Sequence, residues 1–519
     1  MSESSIALTS PRKALKPTLA GVFLAVLLSP LPITAARSQT QAYCRLSPDA
    51  IAQKDSLRQA ARAGDPTVEQ QYNDLLTQHA QAVDRCRRQS RPQNQAIWVR
   101  LYECDTRPGA LDRLLDDIIN KGYNQVYLEV FYDGQVLLPA ADNPTVWPSA
   151  MRSPGLERAD LLAETIEKGR RRGLQVYAWM FMLNFGYTYT LLGDRQQVLA
   201  RNGAGETTVS ADVDATNRDD FGESYVNQGF VDPYNLQGRQ DYDTLLSAVL
   251  SRRPDGVLFD YVRYPKGLGA ESVATRVKDL WIYGDTSLEA FMQRPNTDRG
   301  SALLRRYLEQ GYLTENDVNR IRQQYSDSDS EAEDEQSPEN KGEAPPWPDE
   351  TALPALAGIP PLGDTFNLQL WRLSVAHAQQ GVIDFLSNVS QTVRSRNIPA
   401  GAVFFPEGNR RIGGQGFDSR LQPWDRFPSS IQWHPMAYGV CGTTSCIVEQ
   451  VQTVATGAPP GTQIIPALAG DWGQSIKNRP PLETQMRDII NAVPQIQSVS
   501  HYSYDWQEPE ITRDRKFCQ

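Results

Sequence analysis

From Ala96 onward the chain alternates between two hydrophobic periods. Short apolar runs bounded by Gly, Pro, Asn or Asp are followed by segments whose apolar residues recur every three or four positions. The first pattern predicts strands buried on both faces, the second amphipathic helices packed over them. Strands are expected at Ala96–Tyr102, Gln125–Phe131, Leu174–Phe181, Val257–Asp260, Gly401–Pro406, Ser430–Tyr438, Thr462–Ala469 and Ser498–Trp506. Helices are expected at Leu111–Lys121, Ala159–Arg172, Arg239–Arg252 and Leu370–Arg396, at about Cys446–Thr456, and after Pro480-Pro481. Eight strands alternating with helices, with every long insertion on the strand-to-helix side, predict an α/β (β/α)8 TIM barrel over 96–519. A doubly wound open sheet is the alternative, but no G-x-G-x-x-G follows the first strand.

Two regions stand outside this alternation. Between Pro48 and Gln89, Leu, Val and Ala keep helical spacing, broken at Gly64-Asp65-Pro66, which predicts a helical hairpin over 44–90. The second region is an insertion, 266–369, after the fourth strand, with helices expected near Ser272–Gln293 and Ser301–Gln324. Residues 326–350 within it hold ten acidic residues and one lysine and read as a disordered, solvated linker. This run accounts for nearly all of the net charge of −10, so the rest of the chain is close to neutral. No basic footprint for nucleic acid occurs.

The amino terminus carries Arg12, Lys13 and Lys16, an apolar run Leu19–Leu28, and Thr34-Ala35-Ala36. That order predicts a signal peptide over 1–36 and a periplasmic or secreted protein, with an uncleaved anchor as the alternative. No later run is long enough to span a bilayer. Six cysteines agree with export, and none has metal-ligand spacing. Cys44 and Cys86 fall at the open end of the hairpin. Cys104 and Cys518 fall on one rim if the first and eighth strands are neighbours; of the 15 possible pairings, Cys44–Cys86, Cys104–Cys518 and Cys441–Cys446 are expected. His79, His377, His434 and His501 also lack metal spacing, and His434 and His501 are expected to line the barrel as hydrogen-bonding groups. Neither G-x-S-x-G nor a phosphate loop is present, and no cofactor or metal is expected.

The candidate chemistry lies at the strand ends. Asp260 closes the fourth strand, Glu407 follows the fifth and Asp471 the seventh, while Glu129 sits inside the second. Around them are placed Trp179, Asn184, Tyr187, Arg263, Tyr264, Tyr438, Trp472, Tyr504, Asp505 and Trp506. Carboxylates with flat aromatic side chains on one rim suit a sugar subsite, and glycosidic hydrolysis needs two carboxyl groups flanking the bond. Asp260, beside Arg263, is expected to be the ionised nucleophile or base. Glu407, in Phe-rich surroundings, is expected to be the acid, and Asp471 to orient substrate or stabilise positive charge. The competing readings are local: Asp260 or Asp471 as helix caps, Glu407 as a polar turn, Glu129 as a salt-bridge partner of Arg100.

D-G-V-L-F-D-Y-V-R-Y-P at the fourth strand, L-E-V-F-Y-D-G at the second, Y-A-W-M at the third and W-H-P-M-A-Y at the sixth resemble the family-10-like glycoside hydrolases of secreted bacterial proteins. The resemblance covers about Ala96 to Trp506. It implies a (β/α)8 barrel acting on cell-wall or exopolysaccharide glycans, peptidoglycan strands among them, and it carries over Asp260 alone as a site residue. True family-10 xylanases use glutamates at strands four and seven, where this chain has Asp260 and Asp471. The expected activity is therefore glycoside hydrolysis of an exported or envelope polysaccharide. A non-catalytic glycan-binding barrel and an envelope scaffold are the alternatives.

Overall fold

The computed structural model describes residues 43–211, 228–325, 366–439, 441–476 and 479–518. The signal segment expected at 1–36 and the acidic linker at 326–350 lie outside the described residues. Eight parallel strands form the centre: β1 (Asn94–Val99), β2 (Gln125–Tyr132), β3 (Gln175–Phe181), β4 (Gly256–Asp260), β5 (Ala400–Phe404), β6 (Gln432–Pro435), β7 (Ala467–Ala469) and β8 (Ser498–Tyr502). They are hydrogen-bonded in the order β6-β5-β4-β3-β2-β1-β8-β7. Parallel bridges Trp433–Ile464 and Met436–Ala467 bring β6 to the chain entering β7, so the sheet closes into the expected (β/α)8 barrel. Strand β1 pairs with β8 from Asn94–Ser498 to Ile97–His501, joining the two ends of the barrel sequence.

Helices α1 (Pro48–Ala61) and α2 (Pro66–Gln89) form the amino-terminal hairpin. Each begins with proline after a side-chain cap: Ser47 accepts from the Ala50 amide at 3.3 Å and Asp65 from the Thr67 amide at 2.8 Å. The barrel helices are α3 (Ala110–Asn120), α4 (Leu161–Arg171) and α5 (Leu236–Leu250). The insertion contributes α6 (Asp285–Met292), α7 (Asp298–Gln310) and α8 (Glu315–Gln324). The chain then returns through α9 (Phe366–Arg394), α10 (Thr444–Gly457), α11 (Leu482–Ala492) and α12 (Pro509–Phe517).

The insertion departs from its expected outline. The helix expected over Ser301–Gln324 is two, because Gly311 takes φ +91° and ends α7, while Thr314 and Asp317 form a capping box that restarts the chain as α8. Of Ser272–Gln293 only Asp285–Met292 is α-helical. Val273–Ala274 instead forms a short strand paired with Gly416–Asp418. Helix α9 anchors the insertion through His377, whose ring stacks between Tyr234 and Phe291 at centroid distances of 4.5 and 4.4 Å.

Inside the barrel the period of two aims Trp98, Tyr127, Trp179, His434 and Tyr502 at one another. Trp98 meets Tyr127 edge-on at 5.1 Å and Trp179 at 4.8 Å, and Tyr127 meets His434 at 5.5 Å. His434 thus lines the bore as expected. His501 does not: it alternates with Ser500 and Tyr502, faces the helical layer, and pairs through Nδ1 with the Tyr123 hydroxyl at 2.8 Å. Gly401 admits the His434 ring, since a Cβ there would lie 2.8 Å from both His434 Nε2 and Leu258 Cδ2. Gly401→Ala is expected to destabilise the protein by about 1–3 kcal/mol, measured by urea unfolding. An unchanged midpoint would mean that the bore has slack.

Three disulfides join the expected pairs, Cys44–Cys86, Cys104–Cys518 and Cys441–Cys446, with Cα separations of 5.5, 5.2 and 5.4 Å. The second ties the loop after β1 to the residue after α12, 414 positions apart.

Candidate active site

The strands are parallel, so the residues that leave β1, β2, β3, β4 and β8 meet at one rim. A small cleft opens there between Trp98, Arg100, Glu129, Trp179, Tyr502, Ser503, Asp505 and Trp506. Of the residues expected at the site, the fold gathers Glu129, Trp179, Asp505 and Trp506 directly into it. Asp260 joins through Trp179, whose indole N–H donates to Asp260 Oδ2 at 3.0 Å. Tyr438 flanks it, its ring stacked 5.5 Å from that of Tyr502.

Asp260 is 8% exposed at the last position of β4. Its Oδ1 accepts the Tyr261 amide at 2.6 Å. Burial pushes the carboxyl above its ordinary pKa, outweighing the Tyr261 amide, Arg263 and Trp179, which act the other way. Arg263 acts in the expected direction, but burial outweighs it. The Arg263 guanidinium is buried, lies 4.5 Å from the Tyr261 ring centroid and donates to the Tyr264 carbonyl at 2.9 Å.

Glu407 follows β5, the neighbour of β4, and therefore shares its rim. Arg420, buried and stacked 4.5 Å from Phe405, donates to Glu407 Oε1 from both terminal nitrogens at 3.3 Å. The Phe-rich surroundings are present, but a guanidinium stands among them, shared with Asp418, to which Arg420 donates twice at 2.7 Å. Glu129 takes the local reading: Arg100 donates to both of its oxygens, with Nη2 to Oε1 at 3.1 Å, while the same guanidinium lies over Tyr132.

Five expected site residues serve other ends. Asp471 accepts from its own following amide, Trp472, at 2.7 Å and from Gln474 at 2.5 Å, as a turn does. Trp472 donates to the Tyr123 hydroxyl at 3.1 Å and packs on His501 and Tyr43, on the outer face of β8. Tyr264 is fully buried against α9, its hydroxyl 3.4 Å from the Ala378 carbonyl. Tyr504 donates to Asp117 of α3 at 3.0 Å. Asn184 is buried and accepts the Gly186 amide at 3.1 Å, shaping the loop after β3. Tyr187, in that loop, is 40% exposed. The sequence reading placed Arg100 only as a salt-bridge partner of Glu129 and did not count Trp98 or Tyr502 among the site residues. Period-two alternation marks all three as inward- or rim-facing, but gives no reason to prefer them. Among the described residues no group of histidines, cysteines and carboxylates could hold a metal ion.

A closed (β/α)8 barrel with an aromatic, acidic rim is the class this geometry defines. No family model matches the chain, and no curated protein matches its sequence. Solved structures are similar to it at low identity and with TM-scores below 0.5. The tandem GH20 modules of the pneumococcal exo-β-D-N-acetylglucosaminidase StrH are 10% identical over 81% of this chain and 83% of that one, with a TM-score of 0.37. A β-galactosidase from Marinomonas ef1 is 12% identical over 82% and 58%, with a TM-score of 0.43. A GH18 chitinase from Pseudoalteromonas aurantia is 10% identical over 79% and 94%, with a TM-score of 0.34. At these values the likeness carries no argument about activity.

Proposed function

We propose that this protein hydrolyses glycosidic bonds in a cell-envelope or extracellular polysaccharide, peptidoglycan strands among the candidates, and works in the periplasm or outside the cell. The observation that carries the reading is the rim itself: Trp98, Trp179, Tyr502 and Trp506 beside Asp260, Glu129 and Asp505, with Glu407 on the adjoining strand end. Aromatic faces stack on pyranose C–H surfaces, and two carboxyls on one rim are what glycosidic hydrolysis requires. Asp260, whose burial favours the neutral form, is the proton donor, and Glu407, on the adjoining strand end, is its partner carboxyl. Export is supported by the charged, apolar and small-residue order of residues 1–36 and by three disulfides, which persist in oxidising compartments.

One observation favours binding without catalysis: both Asp260 oxygens already accept hydrogen bonds. Reducing-end release from peptidoglycan strands and a panel of envelope polysaccharides separates the two readings. Wild-type protein is expected to release sugar, and Asp260→Asn to lose about 100-fold or more of the rate while still binding. Binding without release by the wild type would leave a glycan-binding barrel.

A further inference from the structure

We propose that a groove on the flank of the barrel, between α1, α3 and α12, is a phosphate-recognition site. It is about 580 Å³ in volume, within the range of sites for small organic ligands. It shares no residue with the rim cleft, and the inference does not rest on the hydrolase reading.

Three guanidiniums line the groove without a partner. Arg62, Arg107 and Arg113 have no side-chain hydrogen bond or ion pair among the described residues. Two other arginines of the groove show the contrast: Arg58 is held by Asp55 and Asp116, and Arg515 by Asp105. All three line the groove beside the start of α3. Gly109, the residue before that helix, is left-handed (φ +73°) and provides no side-chain cap. Arg62 lies across it, since a Cβ on Gly109 would come within 2.6 Å of Arg62 Nε. The left-handed backbone favours glycine there. Arg107 precedes Gly109 by two positions and Arg113 follows it by one helical turn. The first backbone bond of the helix runs from the Arg113 amide to the Gly109 carbonyl at 3.1 Å, so the amides of Leu111 and Asp112 come before it and have no intrahelical acceptor.

The walls are fixed. Cys104, in the loop leading to Gly109, is disulfide-bonded to Cys518, and Arg515 of α12 grips Asp105 through two bonds of 2.8 Å. The backbone that carries Arg107 is thus held in place, and the ordering on binding falls on the three arginine side chains. Three carboxylates also line the groove. Asp55 is engaged by Arg58 and Asp117 by Lys121 and Tyr504, which leaves Asp514 against three unpaired cations. A phosphate dianion has three oxygens to share among planar guanidinium forks and backbone amides, which a single carboxylate lacks. Ile51, Leu114 and Ile511 offer an apolar wall for the body of an ester.

Calorimetric titration of the full-length protein with inorganic phosphate, glucose 6-phosphate and glucose, at fixed ionic strength, tests this. Saturable binding of a phosphate-bearing probe, and none of glucose, is expected. Tighter binding of glucose 6-phosphate would identify an ester as the ligand, and equal or weaker binding the free ion; both support the site. The triple variant Arg62→Ala, Arg107→Ala, Arg113→Ala is expected to bind about tenfold more weakly or worse. Its ligand-free melting temperature should stay within about 2 °C of wild type, because exposed, unpaired side chains carry little stability. Arg107→Glu alone is a second variant expected to weaken binding. No saturable binding of either phosphate probe, or unchanged affinity in both variants, would overturn the proposal.

Discussion

Replacing Asp116 with alanine is expected to remove about 3–5 kcal/mol of unfolding free energy, because it strands cations that the fold has taken out of water. Asp116 lies in α3, fully buried, and three donors converge on it. Arg58 Nη1 from α1 reaches Oδ2 at 2.6 Å, the Tyr72 hydroxyl from α2 reaches Oδ2 at 2.8 Å, and Arg172 Nε reaches Oδ1 at 2.8 Å. Lys54, also fully buried, donates to Asn120 and lies 3.4 Å from the Asp116 carbonyl, and burial lowers its pKa to about 8. Asp116 thus ties the hairpin to the barrel, sharing Arg58 with Asp55 and Arg172 with Asp112. Asp55 is the control. It pairs with Arg58 on the same helix but its side chain is 41% exposed, so Asp55→Ala should cost under about 1 kcal/mol. Urea denaturation of the three proteins measures both. A loss below 1 kcal/mol for Asp116→Ala would mean that water reaches the cluster and that the hairpin docks mainly through its apolar contacts.

The barrel was legible because its strands are covered on both faces, which leaves runs such as Val257-Leu258-Phe259 with no polar interruption. Closure made the Cys104–Cys518 pairing legible too, since it places β1 beside β8. Strand ends were less readable. Strand β5 stops at Phe404 because the next amide, Phe405, bonds to the Gln422 side chain at 2.8 Å instead of to a neighbouring strand. Such a partner, distant in the chain, leaves no periodic trace.

The same limit governs the site. That Asp260 and Glu407 lie on one rim follows from strand order, but their electrostatics do not. Arg420 reaches Glu407 from 13 residues away, across the turn made by the strands at Arg411–Ile412 and Gly416–Asp418. Tyr264 was misplaced for a related reason. Tyr261 adopts φ +51°, and the chain that follows delivers Tyr264 to α9 instead of the cleft. Residue type located the chemistry to within a loop, and the direction each side chain takes from that loop is a tertiary property.

Acidification is expected to destabilise the protein well before its surface carboxylates titrate, and three histidines set the effect. His377, His434 and His501 are fully buried, and burial lowers each pKa from 6.5 to about 3. Each is neutral when folded and takes up a proton when unfolded below pH 6.5, so its stabilisation is complete above that pH and is lost as the pH falls toward 3. Near pH 5 the unfolded chain therefore holds about three more protons at these sites. Asp232 works the other way. Burial raises its pKa to about 6, so the folded state keeps a proton there that the unfolded state releases, and Asp260 and Asp243, also raised, add in the same direction. With the histidines and Asp232 alone the balance is about two protons, a slope of roughly 2–3 kcal/mol per pH unit between pH 6 and 4, and Asp260 and Asp243 lessen it. His434→Gln isolates one contribution: in the bore of the barrel it removes one titrating ring and should lower the slope by about one proton, whatever it does to stability at pH 7. Urea unfolding at half-unit steps from pH 7 to 4.5 measures both slopes. A flat profile for the wild type, or an unchanged slope in His434→Gln, would mean that the buried rings take up protons without unfolding and that water enters the bore.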